Sequence, residues 1–559
     1  MSSVIRPVLP SQSVVPALTS SSQHVLEKML VEQPAQIQGS FSYATNNKIE
    51  FVANSPSHFL NLLESYIRFD VTTTLSYEGA TDPARYWSEG GAHAMFRSIQ
   101  LETAAGTLIQ RIDRYNKFYS CMSSTLHSRD YVDQNLMRAG DSAEFVKKGE
   151  SNPNILCSGS SFTLVTATGV ITGVASLFKA EISVGDQIWV GDMAAGGESV
   201  WGIVTVVTSD TLITVGGLKA SANITGTQLY VRKPDVGVAP TRNRLANVAS
   251  TSLCFQPFLS FMQMAESIPV FLMRSGLRLT LELERPELVV STCHNVLSTG
   301  FTGCDVVISN PYMVLAYWRP DESLAQQYFQ MYKGDGLAYS FIGYKNNLNS
   351  VTAGSSGQQS LQIQAGVRSA RHIIIKQQDQ RAETISAATV SAGKSSFTAD
   401  CVAQAIKANL DDFQIISGSS RFPLSKPLDC TAIDNTEPLV ALEDCFNVLG
   451  NTLSVHRFLP RQWMEVAERY DEFQQGRLLG RVDSQRFILG VNLSRDNTCS
   501  YAGLDLTLNP LVAQMNYGAS YSIADMDGAN SATSALYIHS WIGHDATLLV
   551  GQDSVKLYI

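Results

Sequence analysis

The sequence predicts an all-β protein built from two similar β-domains, with a small β-barrel inserted into a loop of the first domain and a few short helices. Three observations lead to this prediction. Apolar and polar residues alternate in many short segments, helical periodicity is confined to a few stretches, and two segments recur about 225 positions apart. Segments with period two bury one face each and therefore pack as sheets.

The alternation is clearest in four segments, residues 67–71, 277–283, 487–493 and 504–508. In each of them every second residue is Ile, Leu, Phe or Val. Successive side chains of a strand point to opposite faces, so each segment is expected to turn one face to a core and the other outward.

Helices are predicted at three places. Residues 321–333 carry an apolar stripe between Pro320 and Gly334, and residues 438–449 carry a similar stripe with Pro438 at the first helical position. Both stripes are interpreted as core-packing faces. A short helix is also predicted over residues 24–31, within an N-terminal arm of residues 1–40 that is rich in Ser, Gln and Pro.

The repeat consists of two pairs of segments. Residues 276–282 are echoed by residues 503–509, and residues 315–318 are loosely echoed by residues 537–541. The two offsets agree within four residues, which favours two similar β-domains that meet near Arg319 and Pro320.

A segment of different composition, residues 158–233, interrupts the first half. Residues 158–231 contain only seven charged residues in 74, and short β-forming runs alternate there with Gly and Asp turns. We interpret it as the inserted barrel, and an insertion of this kind is expected to project outward from an exposed loop.

Composition limits the function. The 41 basic and 50 acidic residues give a formal charge of −9, which disfavours a broad nucleic-acid-binding face. Charged residues make up only 16% of the chain, so part of the surface is expected to be buried against partners. The sequence predicts neither a membrane-spanning helix nor a secretory signal.

Nine cysteines are scattered singly, and an odd number cannot pair completely within one chain. They are interpreted as free buried thiols of a reducing compartment. The glycosylation sequons at Asn223 and Asn492 are expected to stay unmodified.

Motifs for phosphate binding, metal binding and nucleophilic catalysis are missing from the sequence. Five weaker candidates are interpreted as structural: Cys293–His294, His544–Asp545, His372, the calcium-loop fragment Asp525–Gly528, and the carboxylate pair Glu282/Glu284 on one exposed strand face. The sequence therefore predicts no catalytic, cofactor-binding or metal-binding residue, and no enzyme.

The order of several segments is more specific than any of these motifs. The relevant segments are residues 91–102, 106–114, 253–283, 310–318 with Pro320–Glu322, 362–376 and 535–559. Over about 440 residues this order resembles the double jelly-roll major capsid proteins of nucleocytoplasmic large DNA viruses, polinton-like viruses and virophages.

The resemblance implies two tandem eight-stranded jelly rolls. The first jelly roll would comprise residues 41–157 and 234–318. The inserted barrel would comprise residues 158–233, and the second jelly roll would comprise residues 319–559. It also implies a homotrimer that acts as a pseudo-hexameric capsomer in the icosahedral shell of a double-stranded DNA virus. Neighbouring capsomers, penton and minor capsid proteins and an internal membrane would be its partners, without sequence-specific nucleic-acid binding. The chain would be made in the host cytoplasm or nucleus and end in the virion.

Two other functions remain open at this point. A trimeric receptor-binding spike or adhesin would use the inserted barrel as its binding module. A carbohydrate-active β-sandwich enzyme would need a cleft with two convergent carboxylates or an aromatic platform, and would be a soluble monomer.

Overall fold

The structure is a computed structural model of the whole chain. It describes residues 25–77, 85–88, 90–127, 139, 155–165, 168–182, 187–190, 200–216, 224–226, 229–232, 250–264, 267–273, 276–292, 301–352, 355–380, 402, 405–431, 437–446, 467–471, 477–482, 487–494, 501–518, 523–524, 531–532, 535–552 and 555–559.

The first part of the chain forms strands and one helix. They are β1 (Val25–Pro34), β2 (Lys48–Ala53), β3 (Phe59–Tyr77), β4 (Arg85–Trp87), β5 (Phe96–Thr103), β6 (Leu108–Asp113) and helix α1 (Tyr115–Leu126), with a 3-10 turn at Gly91–Met95.

The inserted segment forms a sheet of its own. Its elements are β7 (Ile155–Leu156), β8 (Ser161–Val165), β9 (Val170–Val174), the one-turn helix α2 (Phe178–Glu181), β10 (Gln187–Val190), β11 (Val200–Ser209), β12 (Leu212–Gly216), β13 (Ile224–Gly226) and β14 (Leu229–Arg232). The eight strands are ordered β13-β8-β9-β12-β11-β10-β14-β7. Their buried side chains form a hydrophobic cluster separate from that of the rest of the chain.

The chain then returns to the first domain. It forms β15 (Ser250–Phe255), β16 (Ile268–Pro269), β17 (Leu277–Leu283), α3 (Pro286–Val289), β18 (Val290–Thr292) and β19 (Phe301–Pro320), with a 3-10 turn at Val270–Leu272.

The second domain begins with α4 (Glu322–Lys333). The following elements are β20 (Leu337–Val351), β21 (Gly357–Ile363), β22 (Ala370–Asp379), β23 (Leu410–Ser417), β24 (Ser420–Phe422), β25 (Leu428–Asp429), α5 (Glu437–Asp444), β26 (Ala467–Asp471), β27 (Arg477–Val482), β28 (Ile488–Asn492), β29 (Leu511–Tyr517), β30 (Ile523–Ala524), β31 (Ser531–Ala532), β32 (Leu536–Val550) and β33 (Val555–Tyr558).

Two antiparallel sheets form each domain, and the strand order is the same in both. In the first domain the sheets are β1-β19-β3-β15 and β2-β17-β5-β6, and in the second they are β20-β32-β22-β28 and β21-β29-β23-β24. If the eight principal strands of a domain are numbered along the chain, both domains read 1-8-3-6 and 2-7-4-5. This is the order of a jelly roll, so the prediction of an all-β fold with two jelly rolls is confirmed.

Side chains from both sheets fill the interior of each roll. In the first roll, the ring of Phe69 on β3 lies 5.9 Å from that of Phe96 on the facing sheet, in an edge-on arrangement. In the second, the hydroxyl of Tyr517 on β29 donates to the Gln377 side chain on β22 at 2.7 Å. The sheets of each roll therefore pack face to face as a sandwich.

The longest connection of each roll, residues 114–249 in the first and residues 423–487 in the second, lies at the same end, whereas no connection at the other end is longer than residues 256–276. Because consecutive principal strands alternate in direction, the connections after strands 1, 3, 5 and 7 share one end, and those after strands 2, 4 and 6 share the other. At the first end, three connections join strands 3 to 4, 5 to 6 and 7 to 8. In the first roll they are residues 78–95, 114–249 and 284–300, and in the second roll they are residues 380–409, 423–487 and 518–535. We call this the long-loop end and its opposite the short-loop end.

The prediction of a helix over residues 24–31 was wrong. Residues Val25–Pro34 form strand β1, which pairs antiparallel with β19 as an edge of the first roll. Their spacing of apolar residues imitates a helix, but hydrogen bonding to β19 determines the conformation. Only residues 1–24 of the predicted arm lie outside the described residues.

One of the two predicted repeat pairs was also wrong. Residues 315–318 and 537–541 do lie on equivalent strands, β19 and β32, but the equivalent of β17 is β29 and not residues 503–509. The latter form a turn in which Asp505 accepts hydrogen bonds from the backbone and hydroxyl of Thr507, and Leu508 is 85% exposed.

The two longer predicted helices are present. The carboxylate of Asp321 accepts a hydrogen bond from Leu324 N at 2.8 Å and caps α4. Helix α5 spans Glu437–Asp444 and ends earlier than predicted, because Cys445 and Phe446 form a turn; residues 447–449 of the predicted segment lie outside the described residues.

Candidate functional site

The two rolls meet along β6 and β20, where a buried polar group joins three segments. The Gln110 side chain donates to the carbonyl of Ile342 at 3.2 Å and accepts from the backbone of Phe261 at 3.1 Å. The Ser260 hydroxyl donates to the same Ile342 carbonyl and accepts from Gln110. Polar groups buried at such a contact are satisfied only in one alignment, so they hold the two rolls in register.

An aromatic contact continues this junction. Phe118 on α1 is completely buried, with its ring 4.6 Å from that of Tyr344 and 5.8 Å from that of Trp541. The Trp541 indole donates to the carbonyl of Asp113 at 3.3 Å. Strand β32 of the second roll is thereby fixed to the point where β6 of the first roll ends and α1 begins.

Helix α1 carries charge into this interior. Lys117 is fully buried and donates to the Gln378 side chain at 2.5 Å, while Lys376 on the second roll donates to the carbonyl of Val402. Burial raises the pKa of the neighbouring Cys121 thiol to about 11, although both lysines favour the thiolate. Cys121 is therefore a neutral, unreactive thiol at physiological pH, as predicted for the scattered cysteines.

The junction also determines the relative direction of the rolls. Gln110 of β6 contacts Ile342, whereas Asp113 contacts Trp541, whose strand partner on β20 is Asn346. Strands β6 and β20 therefore run in the same direction. Both strands run toward the long-loop end, so the long connections of the two rolls emerge on the same side of the molecule.

A second buried polar cluster closes the short-loop end of the second roll. The Asp545 carboxylate accepts hydrogen bonds from Arg371 at 2.6 Å, from the Ser369 hydroxyl at 2.5 Å and from Tyr501 N at 2.9 Å. The neighbouring His544 directs Nδ1 to the Asp545 backbone oxygen, not to its carboxylate. The carboxylate thus anchors the connection from β28 to β29 and does not orient a histidine base.

His372 occupies an apolar site on β22. The centroids of the Tyr344 and Phe446 rings each lie 5.7 Å from that of the imidazole. Its Nε2 is buried without a hydrogen-bond partner, and a Cβ placed on Gly543 would lie 2.5 Å from that nitrogen. Burial, with Arg371 and His544 as smaller contributions, lowers the pKa of His372 to about 4. The neutral imidazole is therefore a packing element of the strand.

The predicted carboxylate pair is not on one face. Glu282 is partly exposed and accepts a hydrogen bond from Ser98, whereas Glu284 is buried and accepts from Asn116 at 3.0 Å and from Arg285 N at 3.0 Å. Strand β17 keeps its alternation as far as its last residue, Leu283, but Glu284 lies beyond the strand, in the connection to α3, where the alternation on which the prediction depended no longer applies.

Other sequence candidates give no site. Among the described residues, no group of three or more His, Cys, Asp or Glu side chains is placed to hold a metal ion. Cys293, His294, Asn223 and the fragment Asp525–Gly528 lie outside the described residues. Asn492 is half-buried, and its amide donates to Asp444 at 3.0 Å.

No protein-family profile matches the sequence, and no curated protein matches it. Solved structures, among them the following three, are similar to it over most of its length. The 3.5 Å cryo-EM structure of the Sputnik virophage shares 13% identity over 96% of this chain and 89% of that chain, with a TM-score of 0.48. The Faustovirus major capsid protein shares 9% identity over 94% of this chain and 90% of that chain, with a TM-score of 0.48. The mavirus major capsid protein shares 6% identity over 95% of this chain and 90% of that chain, with a TM-score of 0.47.

The surfaces available for contact with other chains include two sheet edges and one helix. Strand β1 pairs only with β19 among the described strands, and its Leu30 is 61% exposed. Strand β21 is another edge, with most of its residues exposed. On α4 the exposed Phe329 ring lies 4.3 Å beneath the Lys333 ammonium. No helix among the described residues has the length and apolar character needed to cross a bilayer.

Proposed function

We propose that this chain is a major capsid protein whose homotrimer forms a pseudo-hexameric building block of an icosahedral double-stranded DNA virus shell. The observation that carries the proposal is the pair of jelly rolls with identical strand order, held parallel by a buried junction. Three such chains around a threefold axis present six similar sandwiches, which is the arrangement that a near-hexagonal tile requires. The sequence resemblance supports the same function.

The junction is suited to a mechanical role. Gln110, Ser260, Phe118 and Trp541 are all buried between the rolls, so bending the two sandwiches apart would expose apolar rings and unpaired polar groups together. Such a contact resists deformation because exposing the rings and leaving the polar groups unpaired both cost free energy at the same time. A shell subunit needs this stiffness, and it needs no reactive centre.

The proposed domains differ slightly from the sequence prediction. Residues 1–24 would be the arm, 25–154 and 233–318 the first roll, and 319–559 the second. The insertion would begin at Ile155, because β7 pairs with β14 in the inserted sheet. We also propose that this sheet closes into a barrel. Strands β10 and β13 are five places apart in the sheet, yet their Cα atoms come within 8 Å.

Assembly would use the sheet edges and the exposed helix. An edge strand such as β1 carries unpaired backbone groups that need cover, and a neighbouring subunit can provide it. We place neighbouring trimers, penton proteins and minor capsid proteins among the partners, with an internal membrane beneath the shell. The protein would act in the virion.

The decisive measurement is the solution mass of the purified full chain, combined with electron microscopy of the particles. One chain has a mass of 60.9 kDa, so a trimer of three chains has 182.7 kDa. We expect trimers with a six-lobed outline. A stable monomer that hydrolyses glycosides would contradict the proposal and favour the enzyme, and an elongated fibrous trimer would favour the adhesin.

A further inference from the structure

The contact between the two rolls of one chain joins different elements of each roll. Gln110 on strand 5 of the first roll contacts Ile342 on strand 1 of the second. The ring of Phe261, in the connection from strand 6 to strand 7, lies 5.1 Å from a phenylalanine ring of that same strand 1. Phe118, in the connection from strand 5 to strand 6, contacts Trp541 on strand 8. We call strand 5 with the connections before and after strand 6 the strand-5 side of a roll, and the outer face of strands 1 and 8 the strand-1 side.

Each roll has both sides, because the strand order of the two rolls is identical. Within one chain the junction uses the strand-5 side of the first roll and the strand-1 side of the second. The strand-1 side of the first roll and the strand-5 side of the second take no part in it. These two remaining sides correspond, element for element, to the two sides that already pack together.

The remaining strand-5 side, on the second roll, exposes two leucines. Leu424 follows β24 directly and is 44% exposed, and Leu508, in the connection from β28 to β29, is 85% exposed. The Gln414 side chain donates to the carbonyl of Leu424 at 3.0 Å, and the Ser417 hydroxyl donates to the carbonyl of Asn509 at 3.4 Å. Both donors belong to β23 and stand three residues apart, about 10 Å along the strand. The two leucines therefore belong to one region of the second roll.

The remaining strand-1 side, on the first roll, is also apolar and open. Leu30 on β1 is 61% exposed. Its neighbours Met29 and Val31 pack against the hydrophobic core, so Leu30 lies on the outer face of the sheet. On the second roll the corresponding outer face carries Trp541, which is completely buried beneath the first roll. A face that is covered in the second roll is thus exposed at Leu30 in the first.

We infer that these two sides meet between copies of this chain: the strand-5 side of the second roll of one copy packs on the strand-1 side of the first roll of the next. The contact would repeat between chains the arrangement that joins the rolls within a chain, and it would cover Leu30, Leu424 and Leu508. It is a head-to-tail contact, which forms a ring when its rotation closes. Three copies supply six rolls for such a ring. The inference rests on the proposed trimer and names the surfaces that hold it together.

Photocrosslinking locates the contact in the full chain. One preparation carries p-benzoylphenylalanine in place of Leu30 and a second carries it in place of Leu508. Irradiation should give covalent dimers of 121.8 kDa, twice the chain mass of 60.9 kDa, on a denaturing gel. Mass spectrometry of these dimers should link the probe at position 30 to β23, β24 or the connection from β28 to β29, and the probe at position 508 to β1 or β19. Dimers linked through other segments, or no dimers at all, would overturn the inference.

Substitutions on both sides give a second readout. Leu30→Lys and Leu508→Lys each place a charge in the contact and should raise the dissociation constant of the trimer about tenfold or more. Leu177→Lys, at a 52% exposed position of the insertion, is the matched control and should leave the trimer unchanged. Trimers as stable as those of the native chain in both variants would show that the inference is wrong. Denaturant unfolding checks that the variants fold, and the crosslinks decide the matter if one of them does not.

The solution mass separates this contact from the proposed function. Trimers of 182.7 kDa whose crosslinks lie outside the two sides would leave the shell function standing and overturn only the contact. A chain that stays monomeric would overturn both.

Discussion

The indole nitrogen of Trp541 and the backbone oxygen of Asp113 are 3.3 Å apart, although 428 positions separate them in the sequence. This hydrogen bond connects the eighth strand of the second roll to the fifth strand of the first. The ring of Phe118, one turn into α1, packs against the same indole. A small region therefore unites strand β32 of the second roll, the helix that leads toward the insertion and the contact between the rolls.

Truncating Phe118 should accordingly destabilise the chain strongly. Phe118→Ala removes a fully buried ring between Tyr344 and Trp541, and the free energy of unfolding should fall by about 3–5 kcal/mol. Phe329→Ala, at a 45% exposed position on α4, is the control and should change stability little. Denaturant unfolding measures both. A loss no larger in Phe118→Ala than in the control would show that the junction carries little stability.

Replacing Gln110 tests the polar part of the junction. Gln110→Leu leaves the Phe261 N–H without its acceptor in a buried position, which should cost about 1–3 kcal/mol. Gln358→Ala on the exposed edge strand β21 is the control. If Gln110→Leu unfolds at the same denaturant concentration as the native chain, the polar group does not hold the rolls together.

Glu284 and Glu282 should respond differently to substitution, although two positions separate them. Glu284→Ala removes a buried acceptor from Asn116 and from Arg285 N and should reduce stability by about 1–3 kcal/mol. Glu282→Ala at its partly exposed site should cost clearly less. Thermal unfolding of the two variants side by side checks this, and equal losses would mean that the burial of Glu284 has no energetic consequence.

These two glutamates show where sequence reasoning ends. Alternation predicted β17 correctly, but the sequence does not show that the strand ends at Leu283, which places Glu284 in the connection to α3 and outside the alternating face. Strand β1 was mistaken for a helix because pairing with β19, almost 300 residues away, overrides local spacing. Helix α1 was not predicted, although Tyr115, Phe118 and Met122 recur at helical spacing. Its polar residues are buried as well, and their partners Glu284 and Gln378 are distant in the sequence. Helix α4 was predicted because its signals, Asp321 and Gly334 at its ends, are local.

The buried His372 should make stability depend on pH. Its pKa in the folded chain is about 4, below the ordinary value of 6.5, so the unfolded chain binds more protons between these values. Its contribution is therefore fully present above pH 6.5 and is lost as pH falls toward 4, up to about 3 kcal/mol. His127, whose pKa burial also lowers to about 4, adds in the same direction.

The check is denaturant unfolding between pH 4 and 7 for the native chain and for His372→Gln. The variant should lose stability less steeply as pH falls, because it lacks one group that must be kept neutral. Gln358→Ala, which removes no titratable group from the exposed edge strand β21, is the control and should leave the slope unchanged. Parallel slopes for the native chain and His372→Gln would show that His372 is not kept neutral by burial.

Two N-terminal deletions distinguish the arm from the first strand. Removing residues 1–24 leaves β1 intact and should preserve trimers while impairing shell assembly, if those residues reach neighbouring trimers. Removing residues 1–40 also deletes β1, whose pairing covers residues 312–320 of β19. The exposed side of β19 would then carry unpaired backbone groups, so this longer deletion should lower thermal stability and promote aggregation. Light scattering measures aggregation and the solution mass measures trimer formation, so together they distinguish the two deletions. Equal behaviour of both deletions would mean that β1 contributes nothing to the first roll.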